Sequence, residues 1–194
     1  MRRTPLSEFA GWSMGVHPPR KEGTMTAIFS EPRKNRLIHE RIHDAYKPTR
    51  KLREPSVCPV CRAVFKGGRW QWLPTWPTHS HREICHACRR IKDNYPAGMV
   101  TMSGDFLKAH RREILGLTRN TERAERNLHP LHRIMKVEER PGAVVVSTTD
   151  IHLPKRIGQA LRRAYKGRLE LRYAKESCFL RVTWTSNSKP GGSR

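Results

Sequence analysis

Two pairs of cysteines carry the sharpest chemistry in this chain. Cys58-Pro-Val-Cys61 and Cys85-His-Ala-Cys88 each hold two thiols with two residues between them. That spacing lets both thiolates of a pair point into one tight turn, the geometry a single tetrahedral zinc ion demands. Together Cys58, Cys61, Cys85 and Cys88 supply four sulfurs and close the coordination sphere, so no position is left for water or substrate. The expected cofactor is a structural Zn²⁺ and not a catalytic one. The gap between the pairs is 23 residues, slightly more than the usual ~15–20. A hairpin carrying Phe65, Gly67-Gly68, Trp70 and Trp72 can span it. Two disulfides would need an oxidising compartment, and a thioredoxin-like site uses one such pair on an α/β scaffold. An iron or iron–sulfur centre takes the same four ligands and stays open as the alternative. His79, His81 and His86 lie in the same region, but with four sulfurs available they are expected to face solvent or a nucleic acid.

Other reactive side chains are weaker signals. Trp70, Trp72 and Trp76 have the π-faces on which single-stranded bases stack. A module this small also needs large aromatics to build a core, so two of the three are expected to be structural. Cys178 stands alone in a predicted strand and reads as a buried thiol, since no histidine partner can be nominated. Asp150 with His152 is the one polar cluster that invites an enzymatic reading, and helix capping accounts for the aspartate. No pair of acidic residues at metal-binding spacing supports two-metal hydrolysis, so a nuclease or hydrolase is not expected.

The charge balance points to a polyanionic partner. The 194 residues include 39 Lys+Arg against 17 Asp+Glu, a formal net charge of +22. The excess runs the whole length, with maxima in residues 1–53 and 131–194. A surplus of this size repels itself unless anions neutralise it. The expected phosphate contacts are Arg36, Arg41, Arg50, Lys51, Arg89, Arg90, Arg156, Arg162 and Arg163, with Trp70 and Trp72 adding base contacts. The longest apolar runs are short, such as residues 143–146, so no segment is expected to cross a membrane. The first residues lack the apolar core of a signal peptide, so a cytoplasmic location is expected. Collagen, coiled coil and membrane channel are excluded.

The elements that must position these side chains follow from composition and periodicity. Residues 1–53 form a basic N-terminal arm read as disordered. Its first 32 positions are rich in Pro and Gly, and Leu37, Ile38, Ile42 and Tyr46 make a short helical stripe that Pro48 stops. Residues 54–95 form the four-cysteine zinc module, a zinc ribbon or treble clef. Residues 96–130 are expected to be a helical connector. Ser103 offers an N-cap, Gly116 weakens or ends the first helix, and a second charged stretch starts at Asn120. Residues 131–184 have the pattern of a ββαββ antiparallel-sheet module, the remaining part of an α+β fold. The strands are expected near 131–138, 143–149, 168–174 and 178–184. The helix between them buries Leu153, Ile157, Ala160, Leu161, Ala164 and Tyr165, with Asp150 as its cap and Gly167 at its end. Residues 185–194 are a Ser/Gly/Lys tail, read as disordered.

Several of these segments resemble a family of small bacterial zinc-binding proteins. The resemblance rests on Arg36-Leu37-Ile38, His43-Asp44-Ala45-Tyr46-Lys47, Cys58-Pro-x-Cys61, Gly68-Arg-Trp-x-Trp72, Cys85-x-x-Cys88, Tyr95-Pro-Ala-Gly98, His129-Pro130 and the run from Thr148 to Gly158, and covers residues 33–184. More distantly the chain is similar to the zinc-bearing N-terminal region, and following α/β segment, of the large-ribosomal-subunit nuclear-export adaptor and its archaeal relatives. That resemblance implies binding to ribosomal RNA or the large subunit, with Cys58, Cys61, Cys85 and Cys88 as the corresponding zinc ligands. The adaptor has more Cys pairs and a long export region that this chain lacks, so export itself is not expected. The expected function is therefore non-catalytic RNA or ribosome binding, with no small-molecule substrate. The competing expectation is a zinc-dependent protein–protein adaptor whose charge is incidental.

Overall fold

The computed structural model describes residues 44–48, 50–174 and 178–186. The fold is α+β, with two mixed sheets and four helices among the described residues. Most of the expected N-terminal arm, the turn at 175–177 and the end of the tail lie outside them.

The first sheet is built from short strands around the cysteines: β1 (Ser56–Val57), β2 (Val64–Lys66), β3 (Arg69–Gln71) and β4 (His81–Arg82), in the order β3-β2-β1-β4. β1 and β2 pair antiparallel, and the first Cys pair forms the turn between them. Arg62 N–H donates to Cys58 O at 2.8 Å, and Cys58 N–H donates to Ala63 O at 2.9 Å. Gly67 and Gly68, at φ 62° and 75°, make the two-residue connection from β2 to β3. Two left-handed residues match the twist of a tight hairpin, and glycine adopts them without steric cost. The Glu54 carboxylate accepts both glycine N–H groups, at 2.6 and 3.0 Å. β4 returns parallel to β1, and the chain then enters helix α1 (His86–Asp93).

The second sheet contains β5 (Gly98–Ser103), β6 (Ile134–Arg140), β7 (Ala143–Thr148), β8 (Arg168–Tyr173) and β9 (Leu180–Thr185), in the order β6-β7-β5-β9-β8. The expected antiparallel sheet is corrected to a mixed one, because β5 enters its centre, antiparallel to β7 and parallel to β9. The segment expected as a helical connector thus begins with a strand. Its alternation puts Gly98, Val100 and Met102 inside. Ser103 ends that strand instead of capping a helix, and Gly104, at φ 108°, makes the turn.

Three helices cover one face of this sheet. α2 (Asp105–Ala109) and α3 (Arg111–Leu128) break at His110, and α3 continues unbroken through Gly116. The expected interruption at Gly116 is absent because Ile114 and Thr118 on either side are buried and hold the helix down. α4 (His152–Tyr165) packs on β5, β8 and β9 with α3 beside it. The core between helices and sheet contains Val100, Met102, Ile114, Val146, Leu153, Ile157, Leu161, Val182 and Trp184. The Asp150 carboxylate accepts the His152 and Leu153 N–H groups at 2.6 and 3.1 Å, as its capping role requires. Ala164, expected in the apolar stripe, is exposed. No described helix is long and apolar enough to cross a membrane.

Candidate metal centre and basic cleft

The turn between β1 and β2 presents Cys58 and Cys61, while Cys85 and Cys88 sit at the start of α1. All four Sγ atoms lie within 4.8 Å of one another, and Cys61 and Cys85 are 3.6 Å apart. Zinc–sulfur bonds of ~2.3 Å place the sulfurs of a tetrahedral site ~3.8 Å apart, so the set fits one ion. All four cysteines are free thiols, and Cys58, Cys85 and Cys88 are buried. The Cys85 N–H donates to Cys58 Sγ at 3.4 Å, one of the backbone donors a buried thiolate needs. These four residues can hold a metal ion.

The thiols are poised unequally. The Cys85 hydrogen bond pulls the Cys61 thiol down to about 4 despite partial burial, with the Ala63 N–H and the Arg133 guanidinium acting in the same direction. The shared hydrogen bond and burial push Cys85 up, and burial pushes Cys88 up. A divalent cation binds the four sulfurs as thiolates, so its uptake releases the thiol protons and the filled centre keeps a net negative charge.

Arg133 closes the centre from the side of the second sheet. Its guanidinium donates to Cys88 Sγ at 3.4 Å and to Cys85 Sγ at 3.8 Å. Its Nε donates to Pro130 O at 2.7 Å, and its main-chain N–H donates to Thr149 Oγ1 at 3.0 Å. The residue is 6% exposed. Burying a guanidinium is costly unless anions surround it, so its position here matches a thiolate-rich centre. Sequence reasoning did not find Arg133, because an arginine 45 residues beyond Cys88 has no spacing rule to mark it.

Beside the centre lies a cleft of about 360 Å³ lined by Arg50, Lys51, Arg53, His81, Arg82 and Glu83, among others. Arg50, Lys51, Arg53 and Arg82 are all exposed. Glu83, the acidic residue in this lining, is paired with Arg89. Of the sequence-expected contacts, Arg50 and Lys51 line this cleft, and Arg89 is tied to it through its ion pair with Glu83. His81 lines it, and His79 is exposed as expected. His86 differs: it is half-buried, and burial lowers its pKa.

Two of the expected contacts, Arg90 and Trp70, are buried. Arg90 is 3% exposed. It pairs with Asp44, donates to Tyr95 O at 3.1 Å and lies over the Tyr46 ring, so its role is to hold residues 44–46 against α1. Trp70 is buried against Phe65, with ring centroids 5.5 Å apart. Trp72 is half-buried, and its indole N–H donates to Arg126 O at 2.7 Å. Trp76 is the exposed member of the three, with the Arg62 guanidinium 5.0 Å from its ring. Arg156, Arg162 and Arg163 are exposed on α4, and Arg156 is paired with Glu125. Arg36 and Arg41 lie outside the described residues. Cys178 is half-buried just before β9. Comparison of the chain with protein-family models, curated proteins and solved structures finds no match.

Proposed function

We propose that this chain is a zinc-stabilised, non-catalytic RNA-binding protein of the cytoplasm, acting on ribosomal RNA. In this reading the Cys58–Cys88 unit is a treble clef: a knuckle in a hairpin followed by a helix whose N-terminus supplies the last two ligands. Zinc suits four thiolates in a tetrahedral set, and the ion is structural because the site is saturated.

The observation that carries the reading is how the cleft joins the metal ligands. β1 and β4 lie side by side, with Ser56 opposite His81 and Val57 opposite Arg82. β1 runs directly into Cys58, and β4 runs through Glu83 and Ile84 into Cys85. One ion clamping Cys58 to Cys85 therefore holds the two cationic walls of the cleft at a fixed separation. A preorganised row of guanidinium and ammonium groups binds phosphates without first paying the cost of ordering them. Trp76 and Arg62 provide a flat, exposed face for an unpaired base.

The test is a salt titration of full-length chain with labelled ribosomal RNA. Affinity is expected to fall linearly on a log–log plot, and combined Arg50→Ala, Arg53→Ala and Arg82→Ala is expected to reduce the slope by about 2–3. Absence of RNA binding at low salt overturns the proposal. Ribosome association that survives nuclease and high salt unchanged favours a protein–protein adaptor instead.

A further inference from the structure

A second set of ligand-type side chains gathers where α3 ends. Glu125 lies in the last turn, His129 is the C-cap residue and His132 follows three positions on. One ligand atom from each lies within 4.8 Å of the others. Glu125 Oε2 is 3.3 Å from His132 Nδ1, while Glu125 Oε1 pairs with Arg156 Nε at 3.3 Å. The opposite side of the same imidazole meets another carboxylate, since His132 Nε2 is 3.6 Å from Asp150 Oδ2. Asp150 Oδ1 is buried without a hydrogen-bond partner among the described residues. The His132 ring also packs against His129 and His152, with centroids 4.6 and 5.6 Å apart.

A neutral imidazole has one N–H and one lone pair. Both His132 nitrogens face carboxylates, so in the neutral ring a lone pair is directed at an anion on one side or the other. A cation bound on the Nδ1 side resolves the conflict. The lone pair then ligates the ion together with Glu125, and the remaining N–H points to Asp150, the arrangement that fixes the tautomer of metal-bound histidines. The free carbonyls of the α3 C-terminus add partial negative charge at the same place.

We propose that Glu125, His129 and His132 form a second divalent-metal site, with Asp150 orienting His132 from behind. Two imidazoles and one carboxylate select a first-row ion such as Zn²⁺, Co²⁺ or Ni²⁺. Unlike the cysteine centre, three protein ligands leave an open position for water or an anionic oxygen. Of the three ligands, Glu125 also lines a cavity of about 330 Å³, with Asn120, Thr121, Arg156, Gln159 and Arg163 among its other residues. The proposal involves none of the residues on which RNA binding was argued except Arg156 and Arg163, and it stands if RNA binding fails.

The test is metal stoichiometry of the untagged full chain. Zinc is loaded first into the cysteine centre, and Co²⁺ or Ni²⁺ is then titrated by calorimetry, with bound metal counted after desalting. The wild type is expected to take a second equivalent. His129→Ala, at an exposed position, is expected to lose that equivalent or weaken it at least about tenfold while keeping its first ion and its circular dichroism. Glu125→Gln is expected to do the same. A wild type that saturates at one ion overturns the proposal. A second equivalent that persists in both variants overturns it as well, by placing the ion elsewhere.

Discussion

Arg133 is the side chain through which the metal centre feels the rest of the protein. Four thiolates around a divalent ion leave a net double negative charge in a buried place, and the guanidinium offsets part of it with two N–H···S contacts. Arg133→Met keeps the bulk and removes the charge and the donors. It is expected to weaken zinc binding about 10–100-fold in a chelator competition, as loss of an outer-shell partner does. Release of the ion on acidification is expected to begin at a higher pH. Without the cation each thiolate is more basic, so protons compete for sulfur sooner. Lysine does not restore the wild type, because it lacks the planar fork that reaches Pro130 O and two sulfurs together. At this scale the gathering of four cysteines was legible in the sequence, since cysteine spacing maps directly onto turn geometry. Arg90 was not legible as an interior group, and which of the tryptophans would be buried was not either. The burial of Arg90 and Trp70 depends on Asp44 and Phe65, partners that no local pattern names.

Among the elements, β6, β7, α4, β8 and β9 were readable because each carries its own periodicity and its own stop signals. β5 was missed because its pattern, Gly-Met-Val-Thr-Met-Ser, becomes a strand only when β7 and β9 flank it. α1 was missed because its eight residues are mostly polar, and its buried side consists of Ala87, Cys88 and Arg90. Two helix glycines make opposite predictions. A Cβ at Gly116 would meet nothing within 4 Å. Gly116→Ala is therefore expected to stabilise the protein by about 0.5–1 kcal/mol in denaturant unfolding, through reduced chain entropy. A Cβ at Gly158 would come within 2.7 Å of Val182 and 2.8 Å of Leu169. Gly158→Val is expected to lever α4 away from β9 and cost about 1–3 kcal/mol. The edge strands guard themselves with charge: β6 carries Lys136, Glu138 and Arg140, and β8 carries Arg168, Glu170 and Arg172.

For the molecule as a whole, the excess of positive charge is a long-range field and the proposed metal clamp is a local one, and the two separate experimentally. Salt screens the first over about 10 Å at 0.1 M, whereas a chelator acts only on the second. Removal of the ion is expected to lower RNA affinity at every salt concentration and to loosen residues 50–93 to hydrogen exchange, while the second sheet keeps its protection. Trp76→Ala is expected to cost about 1–3 kcal/mol against single-stranded RNA and nothing measurable against duplex. The strand order of the larger sheet also governs how the chain is made. β5 must wait for β9, which lies far downstream and is its parallel neighbour from Gly98↔Leu180 to Ser103↔Thr185. During N-to-C synthesis the cysteines can capture their ion long before Trp184 arrives to seal the interior. A nascent chain stalled short of residue 180 therefore presents an open middle strand, ready to pair with a neighbour, and quality control would meet this protein as a metal-bearing head trailing a half-built sheet.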